Sequence, residues 1–576
     1  MTNEEIKNSK AVKHFIQLLH THRYEVNSIL IYAFFGGLIS LSVPLGIQVI
    51  VNLIQGAQIS TSWIVLVVMV SISIVVAGFL MIMQQVVSEN IQQKIFINSA
   101  FDFAYRIPKF KTESVDQEYV PELVNRFFDT IIVQKGVSKI LLEYSMAVLQ
   151  IIFGLILLMF YHPFFISFGA ILIFITYFII KYTFARGLTA SIKESEHKYE
   201  LVHWLEELGR AMKTFKLTGV TTLPLDKTDR ITTQWIKSRK EHFKILLIQF
   251  ISMVAFKALI AAGLLIIGGL LVINQQMNIG QFVAAEIVIL MILASVEKLI
   301  TGSETFFDVL TSIGKLDEIV EIPLEGQGEI ILQSGEPGLK VDIKNMSFGF
   351  EGELTNTLTN INLRVPAGEK IGIVGYQGSG KSVLLDIIAG LYPEKSHAVT
   401  YNGFPLGSLS TGELRGLIGN NLRGNRIFKG TIYENISMGK KEIPLDEVIK
   451  ACDQIDLTSY IQSLPHGYDT VLLSEGDTLP QGIRLKIILA RCIAEMPKLI
   501  LLEDSLGQLE APTRNKFSKY ILDKDKGWTV IAVSTDPSIL EMMDRVVVMN
   551  KGEIVIEGKF DELRKNGGAK EFFDIK

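Results

Sequence analysis

Cysteine is scarce in this sequence, and neither sign of charge dominates. The chain of 576 residues has two cysteines, Cys452 and Cys492, and its 56 basic and 60 acidic side chains leave a formal net charge of −4. The cysteines lie far apart and lack metal-ligand spacing, so we expect reduced cytosolic thiols. The small net charge gives no reason to expect nucleic-acid binding. A cleavable signal peptide is also not evident, because the first long apolar run is long enough to be retained.

Hydrophobic residues, in contrast, make up 48% of the chain, and the mean hydropathy is +0.34. They are concentrated in six runs, each of which meets the length of roughly 20 residues that a membrane-crossing helix needs. These runs cover residues 29–54, 63–87, 139–161, 163–186, 245–273 and 279–303. We therefore predict an α-helical membrane domain with six transmembrane helices over residues 1–303.

The N-terminal residues 8–24 are basic and amphipathic, with Val12, Phe15, Ile16 and Leu19 on a helical period. This pattern predicts an interfacial helix on the membrane surface, with a plain solvent-exposed helix as the alternative.

The connections between the runs predict the orientation. The short connections 55–61 and 274–278, and the one around His162, contain no Lys or Arg, whereas the N-terminus and the long connections contain many. The positive-inside rule then places both termini on the cytoplasmic side of a cytoplasmic (inner) membrane. The long connections keep a helical pattern, and their turns, near 106–122 and 204–219, are predicted to contact a cytoplasmic domain.

A glycine-rich stretch after a short apolar run carries the strongest local signal. Gly375, Gly380, Lys381 and Ser382 satisfy the pattern G-x-x-x-x-G-K-[ST] between a predicted strand and a predicted helix, which makes a chance glycine turn improbable. Such a loop surrounds phosphates with backbone N–H groups at a helix N-terminus. Lys381 is expected to reach the β- and γ-phosphates, and Ser382 to ligate Mg²⁺. The predicted cofactor-binding residues of the loop are Gly375, Tyr376, Gln377, Gly378, Ser379, Gly380, Lys381, Ser382 and Val383.

Further sequence stretches of interest lie before and after this loop. Phe350 precedes it at a position where an adenine ring could stack, and an apolar strand ending in Glu503 and Asp504 follows it. The remaining stretches are 427–436, 464–470, 476–491 and 546–558.

This order resembles the ATP-binding-cassette (ABC) exporters, over nearly the whole chain. Three membrane-domain stretches, 106–110, 123–129 and 279–284, are most similar to type 1 secretion and bacteriocin exporters, although the N-terminal peptidase domain of some of these is not expected. The resemblance implies an α/β P-loop NTPase nucleotide-binding domain over 339–576, joined to the membrane domain by a helix extension and linker over 304–338.

The resemblance also implies cofactors and partners. The cofactors are ATP and Mg²⁺, with Ser382 and Glu503 as metal-binding residues. Such half-transporters work as homodimers or heterodimers, with ATP held between the phosphate loop of one subunit and the signature turn of the other. A periplasmic adaptor and membrane lipid are further expected partners.

The sequence departs from the family pattern at the hydrolysis positions. Arg423 aligns with the usual glutamine, Asp504 with the general-base glutamate, and Thr535 with the usual histidine. The signature turn of the family aligns with Leu479, Pro480, Gln481, Gly482 and Ile483. Pro480 removes a hydroxyl and a backbone N–H, and Asp504 is one methylene short of the usual base.

These observations favour an exporter half-transporter that binds ATP and hydrolyses it slowly. The alternative is a non-hydrolysing, ATP-binding regulatory or gating subunit, and a scaffold that binds no nucleotide is least favoured. Glu286, deep in the sixth run, is predicted either to line a translocation path or to make a helix-packing hydrogen bond. Lys257 and Glu297 are predicted to pair at similar depth.

Overall fold

A computed structural model describes residues 3–56, 61–116, 118–326, 328–332, 335, 337–392, 398–476, 478–504 and 506–565. The chain divides into two compact units. The first, called the helical unit, comprises Met1–Pro108 and Glu118–Ile322. The second, called the sheet unit, comprises Lys109–Gln117 and Pro323–Lys576.

Twelve helices of the described residues build the helical unit. They are α1 (Asn3–Thr21), α2 (Arg23–Ser40), α3 (Ser42–Gln55), α4 (Thr61–Arg106), α6 (Val120–Asn125), α7 (Asp129–Lys139), α8 (Ser145–Tyr161), α9 (Phe164–Arg210), α10 (Met212–Thr218), α11 (Leu223–Ile273), α12 (Ile279–Thr301) and α13 (Ser303–Val320), while α5 (Thr112–Val115) belongs to the sheet unit. A π-helical turn, Ile140–Tyr144, precedes α8, and short 3₁₀ turns cover Ile107–Lys109 and Arg126–Phe128.

Six helical stretches of the described residues are long and apolar enough to cross a membrane, which confirms the six predicted spans. They are Arg23–Gln55, Thr61–Lys109, Val120–Tyr161, Phe164–Arg210, Leu223–Ile273 and Ile279–Val320. The longest, α11, has 51 residues and is about 75 Å long, more than twice the roughly 30 Å thickness of a hydrocarbon core. These helices are therefore long enough to extend beyond the bilayer, as predicted. Residues 57–60 of the first predicted connection lie outside the described residues.

The N-terminal helix α1 packs within the helical unit. Phe15 is buried, and its ring meets Phe306 of α13 edge to face at 5.3 Å between centroids. His14 forms a hydrogen bond with Asp317, and Ile16 stays exposed on the opposite side. One face of α1 thus contributes to the core, and the exposed face is available for the predicted interfacial role.

Two larger sheets and a two-stranded ribbon build the sheet unit. The strands are β1 (Val341–Phe348), β2 (Leu358–Val365), β3 (Lys370–Gly375), β4 (Val399–Tyr401), β5 (Phe404–Pro405), β6 (Ile418–Asn420), β7 (Gly430–Thr431), β8 (Val471–Leu472), β9 (Leu499–Glu503), β10 (Thr529–Val533), β11 (Arg545–Asn550) and β12 (Glu553–Gly558). The six-stranded sheet has the order β12-β11-β3-β10-β9-β6 and is parallel except for β12. The four-stranded sheet, β2-β1-β4-β5, is antiparallel, and β7 pairs with β8.

Shorter helices surround these sheets. They are α14 (Lys381–Ile388), α15 (Thr411–Gly416), α16 (Ile432–Ser437), α17 (Leu445–Gln454), α18 (Thr458–Gln462), α19 (Gln481–Ala494), α20 (Ala511–Ile521), α21 (Pro537–Leu540) and α22 (Phe560–Lys565), with 3₁₀ turns at Leu406–Ser408, Gly467–Asp469, Ser474–Gly476, Leu506–Gln508 and Lys524–Lys526. Strands β3, β9 and β10 are almost entirely buried, as expected for parallel strands covered on both faces. Their carboxyl ends lie at one edge of the sheet, where ligands of such folds bind.

The segment Lys109–Gln117 leaves the helical unit and packs in the sheet unit. Its Phe110 is buried and forms a β-bridge with Leu324, and the hydroxyl of Tyr392 donates to Asp116 at 3.1 Å. Residues 109–117 of the turn predicted near 106–122 therefore belong to the sheet unit. The predicted linker 304–338 is divided between the units, because α13 belongs to the helical unit and the chain from Pro323 onward to the sheet unit.

Candidate nucleotide-binding site

The glycine-rich loop joins β3 to α14 at the carboxyl edge of the sheet. Gly380 precedes α14 in the left-handed conformation, at φ +93°. A Cβ on Gly375 would lie 2.2 Å from the carbonyl oxygen of Met549, so that position has room only for glycine. The predicted strand–loop–helix arrangement is therefore present, and it directs the unpaired N–H groups at the start of α14 into the loop.

Lys381 folds back over this loop. Its ammonium donates to the carbonyl oxygens of Gly375 and Tyr376 at 2.8 and 2.7 Å, and to the Ser379 hydroxyl at 3.2 Å. Burial lowers the pKa of Lys381, while the nearby Asp504 carboxylate raises it. A partly desolvated ammonium among carbonyl dipoles is poised to bind a phosphate. The remaining loop positions, Gln377, Gly378 and the half-buried Val383, complete the turn and its packing.

Glu503, at the end of β9, is the centre of a second group of contacts. The Ser382 hydroxyl donates to its Oε1, and the Nε of Arg423 lies 2.8 Å from the same oxygen. The backbone N–H of Arg423 donates to Oε2 at 2.9 Å. Ser382 and Glu503 are thus brought together as predicted, and Arg423 joins them.

Asn421 belongs to this group, although the sequence reasoning did not identify it. Its Oδ1 accepts the backbone N–H of Glu503 at 2.8 Å, and its own N–H donates to Leu501 at 3.1 Å. The signal was its place directly after β6, the strand that pairs with β9.

Asp504 follows Glu503 in a different environment. Its backbone is in the left-handed region, at φ +37°, and its N–H donates to the carbonyl of Val533 at 3.0 Å. Partial burial raises the pKa of Asp504, and the charge of Lys381 opposes this shift. Thr535, two residues after β10, is exposed. The carboxyl ends of β9 and β10 are adjacent, so Asp504 and Thr535 occupy the same edge of the sheet.

Asp386 on α14 is also affected by a charge at this edge of the sheet. Burial is the main cause that raises its pKa to about 6, and the negative charge of Glu503 adds to the shift. Its position one helical turn after Ser382 is the sequence signal that could have identified it.

The predicted signature turn lies at the start of α19. Pro480 is the N-cap residue, and its carbonyl accepts from the N–H groups of Ile483 and Arg484 at 3.0 and 3.1 Å. The proline does not disturb the start of the helix, because the first N–H groups of any helix have no partner within the helix. Leu479 and Ile483 pack on the core below, Gln481 donates to Gln508 at 3.2 Å, and Gly482 is exposed.

Phe350 is half buried beside two other aromatic rings. Its ring centroid lies 5.2 Å from that of Phe348 and 5.6 Å from that of Tyr392. Edge-to-face packing of this kind fixes the ring orientation. Tyr392 was not identified from the sequence, and its hydroxyl connects this aromatic cluster to Asp116.

In the helical unit, Lys257 of α11 contacts Glu297 of α12, as predicted. Glu286 of α12 is half buried. Among the described residues no hydrogen bond or ion pair engages its carboxylate, so its predicted role stays a prediction.

The site fits the phosphates of a nucleotide better than it fits a metal ion. The loop offers backbone N–H groups, Lys381 and an open surface. At the predicted metal position, however, Arg423 already occupies both oxygens of Glu503. The described residues also hold no group of three or more His, Cys, Asp or Glu side chains that could bind a metal ion.

Fold and site together define a class: a multi-pass membrane protein that carries a P-loop nucleotide-binding domain on the same chain. Comparisons with known families specify it further. The family described as the ABC transporter transmembrane region matches residues 26–296, and the family described as ABC transporter matches residues 358–506. The chain belongs to the ABC transporters.

Individual relatives agree with this assignment. The leukotoxin translocation ATP-binding protein LktB of Mannheimia haemolytica and that of Bibersteinia trehalosi are each 31% identical to the chain over 296 residues. The similarity covers 51% of this chain and 41% of each relative, so the chain matches less than half the length of these proteins. The solved structure of a bacterial Atm1-family ABC exporter with ATP bound shares the fold, with a TM-score of 0.83, 16% identity, and coverage of 96% of this chain and 98% of that chain.

Proposed function

We propose that the chain is an ABC exporter half-transporter that binds ATP at the glycine-rich loop and works as a dimer in the cytoplasmic membrane. The observation that carries this proposal is the intact loop, with Lys381 over its carbonyls, on the same chain as six membrane-crossing helices. The nucleotide-binding domain and both termini then lie in the cytoplasm, as the loop charges predict.

Each group at the site has a role in holding the nucleotide. The loop N–H groups and Lys381 bind the β- and γ-phosphates, and the ring of Phe350 contacts the adenine. Mg²⁺, the usual companion of ATP in this family, would supply charge neutralisation between the phosphates. It would reach Ser382 and Glu503 only where Arg423 gives way.

Hydrolysis by this site is expected to be slow. Asp504 stands at the general-base position with a shorter side chain, and Thr535 offers the γ-phosphate no cationic or imidazole donor. Pro480 lacks the N–H that a facing subunit would use. In a homodimer both sites carry every defect, and in a heterodimer each of the two shared sites carries some of them.

The same departures favour a second candidate function. In it, ATP binding without turnover closes the nucleotide-binding domains and regulates or gates the membrane unit. The Arg423–Glu503 contact is the specific observation in its favour, because it engages the acid that hydrolysing sites use for the metal. Phosphate release by the purified dimer distinguishes the two functions.

The first experiment measures ATP binding to the purified full-length chain by photolabelling with an ATP analogue. Lys381→Ala is expected to abolish labelling, because it removes the cation of the loop. Lys519→Ala, which removes an exposed lysine at the end of α20, is the matched control and should label like the wild type. Undiminished labelling of Lys381→Ala would contradict ATP binding at this loop.

The transported substrate is proposed only as a class. The LktB relatives are named for leukotoxin translocation, which favours a peptide, a protein or a lipid-like molecule, with a periplasmic adaptor as an additional partner. Co-purification of the tagged chain from its native membrane, followed by mass spectrometry, would identify a second half-transporter or an adaptor.

A further inference from the structure

Arg423 makes two different contacts with one buried carboxylate. Its Nε lies 2.8 Å from Oε1 of Glu503, and its backbone N–H donates to Oε2 at 2.9 Å. The Glu503 side chain is only 7% exposed, whereas that of Arg423 is 78% exposed. The guanidinium thus uses its inner nitrogen on the protein, and the side chain keeps an exposed outer end.

The backbone hydrogen bond fixes the position of Arg423 relative to the Glu503 carboxylate. An exposed ion pair between two long side chains is weak by itself, because both side chains lose freedom. Here the main chain of Arg423 is attached to the carboxylate, and Asn421 holds the backbone of Glu503 at 2.8 Å. Residue 423 therefore stays beside Glu503 even when its side chain moves.

A divalent cation at this position would need the same atoms. Mg²⁺ in nucleotide sites takes oxygen ligands from one or two carboxylates, from the phosphates and from water. The Ser382 hydroxyl, its other protein ligand in this family, donates to Oε1 of Glu503. A guanidinium beside this carboxylate has one positive charge and binds phosphate through a planar set of donors.

We propose that Arg423 is the built-in cation of the nucleotide site: it neutralises Glu503 and binds the β- and γ-phosphates, so that ATP binds without a divalent cation. This inference rests on the proposed binding of ATP at the glycine-rich loop. It assigns Arg423 a ligand, the terminal phosphates, and it explains why the acid at the end of β9 is retained although the residues for hydrolysis are altered.

The experiment compares ATP affinity in excess Mg²⁺ and in excess EDTA, by isothermal titration calorimetry on the full-length chain in detergent. The wild type is expected to bind ATP with the same Kd, within about threefold, in both conditions. Arg423→Gln removes the guanidinium and should bind about tenfold or more weakly in EDTA than in Mg²⁺, as expected for a lost charged hydrogen bond.

Arg426→Gln is the matched control. Arg426 lies three residues away, is also exposed, and pairs with Glu475 at 2.5 Å rather than with Glu503. Its substitution should leave both Kd values and their ratio unchanged. A thermal unfolding curve of each variant shows that it is folded.

A second readout measures the metal itself. In ATP-saturated protein, electron paramagnetic resonance of Mn²⁺ should show about tenfold tighter metal binding by Arg423→Gln than by the wild type, since the carboxylate is then free.

The possible outcomes distinguish the role of Arg423 from the proposed binding of ATP. Wild-type binding that requires Mg²⁺ would overturn the role of Arg423 and leave ATP binding intact. Equal Mg²⁺ independence of wild type and Arg423→Gln would also overturn it, because another group would then supply the charge. Absence of ATP binding in both buffers would overturn the proposed function together with this inference.

Discussion

Asp386 is a residue whose charge is set by its surroundings. Burial raises its pKa to about 6, from an ordinary value of 3.8, and the charge of Glu503 contributes to the shift. An acid that holds its proton more tightly in the folded state stabilises that state less as the pH rises. The stability of the sheet unit should therefore fall between pH 4 and pH 6, and the penalty should be complete above pH 6.

Replacing this carboxyl group with an amide tests that reasoning. Asp386→Asn should unfold at a higher temperature than the wild type at pH 7.5, and the difference should shrink towards pH 4. Thermal unfolding of the full chain at several pH values measures it, with Glu553→Gln on the exposed edge of β12 as the control. A difference that stays constant with pH would mean that the pKa of the Asp386 carboxyl is the same in the folded and unfolded chain.

At the level of elements, the ends of β9 and β10 and the start of α19 carry the hydrolysis groups together. General-base positioning contributes about 10²–10⁴ in rate, but restoring only the acids should gain little, because Pro480 would still lack the N–H for the γ-phosphate and Thr535 would still lack a donor for it. We expect Glu503→Asp with Asp504→Glu to hydrolyse ATP at nearly the wild-type rate. The added repairs Arg423→Gln, Pro480→Ser, Gln481→Gly, Ile483→Gln and Thr535→His should raise turnover by more than the product of their separate effects.

Steady-state phosphate release at saturating Mg-ATP measures each of these variants. A wild type that already turns over at the ordinary enzyme rate of about 10 s⁻¹ would show that the altered positions are tolerated.

The segment that carries α5 is a second element with a testable role. Tyr392→Phe removes the hydrogen bond to Asp116 and keeps the ring contacts with Phe348 and Phe350. It should lower the free energy of unfolding by roughly 0.5–1.5 kcal/mol and leave the ATP Kd unchanged, because the hydroxyl points to the segment. Denaturant unfolding monitored by fluorescence gives the first quantity and calorimetry the second. A large loss of ATP affinity in Tyr392→Phe would instead place the hydroxyl in the nucleotide site.

Sequence patterns predicted the elements well, because apolar periodicity and the glycine-rich loop are local signals. The six spans and the loop around Lys381 needed no knowledge of distant residues. The contact of Arg423 with Glu503 joins positions 80 residues apart, and that of Asp116 with Tyr392 joins positions 276 residues apart. Side-chain pairs at such separations leave no periodic pattern in the sequence, so the arginine that contacts Glu503 could not be predicted when Ser382 and Glu503 were assigned to a metal ion.

At the scale of the whole molecule, orientation is the property that the loop charges predict. A cysteine introduced at Gln276, in the turn between α11 and α12, should react with a membrane-impermeant reagent added to intact cells. One at Lys216 in α10 should react only after the cells are opened. Maleimide labelling followed by a gel shift measures both positions, and labelling of residue 216 in intact cells would reverse the predicted orientation.

The sheet unit is built from two separate stretches of chain, which the ribosome synthesises at different times. Asp116 is synthesised 276 residues before its partner Tyr392, an interval of roughly 14 to 55 s at ordinary translation rates of about 5–20 residues per second. Throughout that interval Asp116 lacks its hydrogen-bond partner, and Phe110 lacks its β-bridge partner until Leu324 has been synthesised. The contact of Asp116 with Tyr392 therefore forms only after the membrane spans before residue 109 have left the ribosome, and a ribosome that stalls between these two positions leaves Asp116 without this partner.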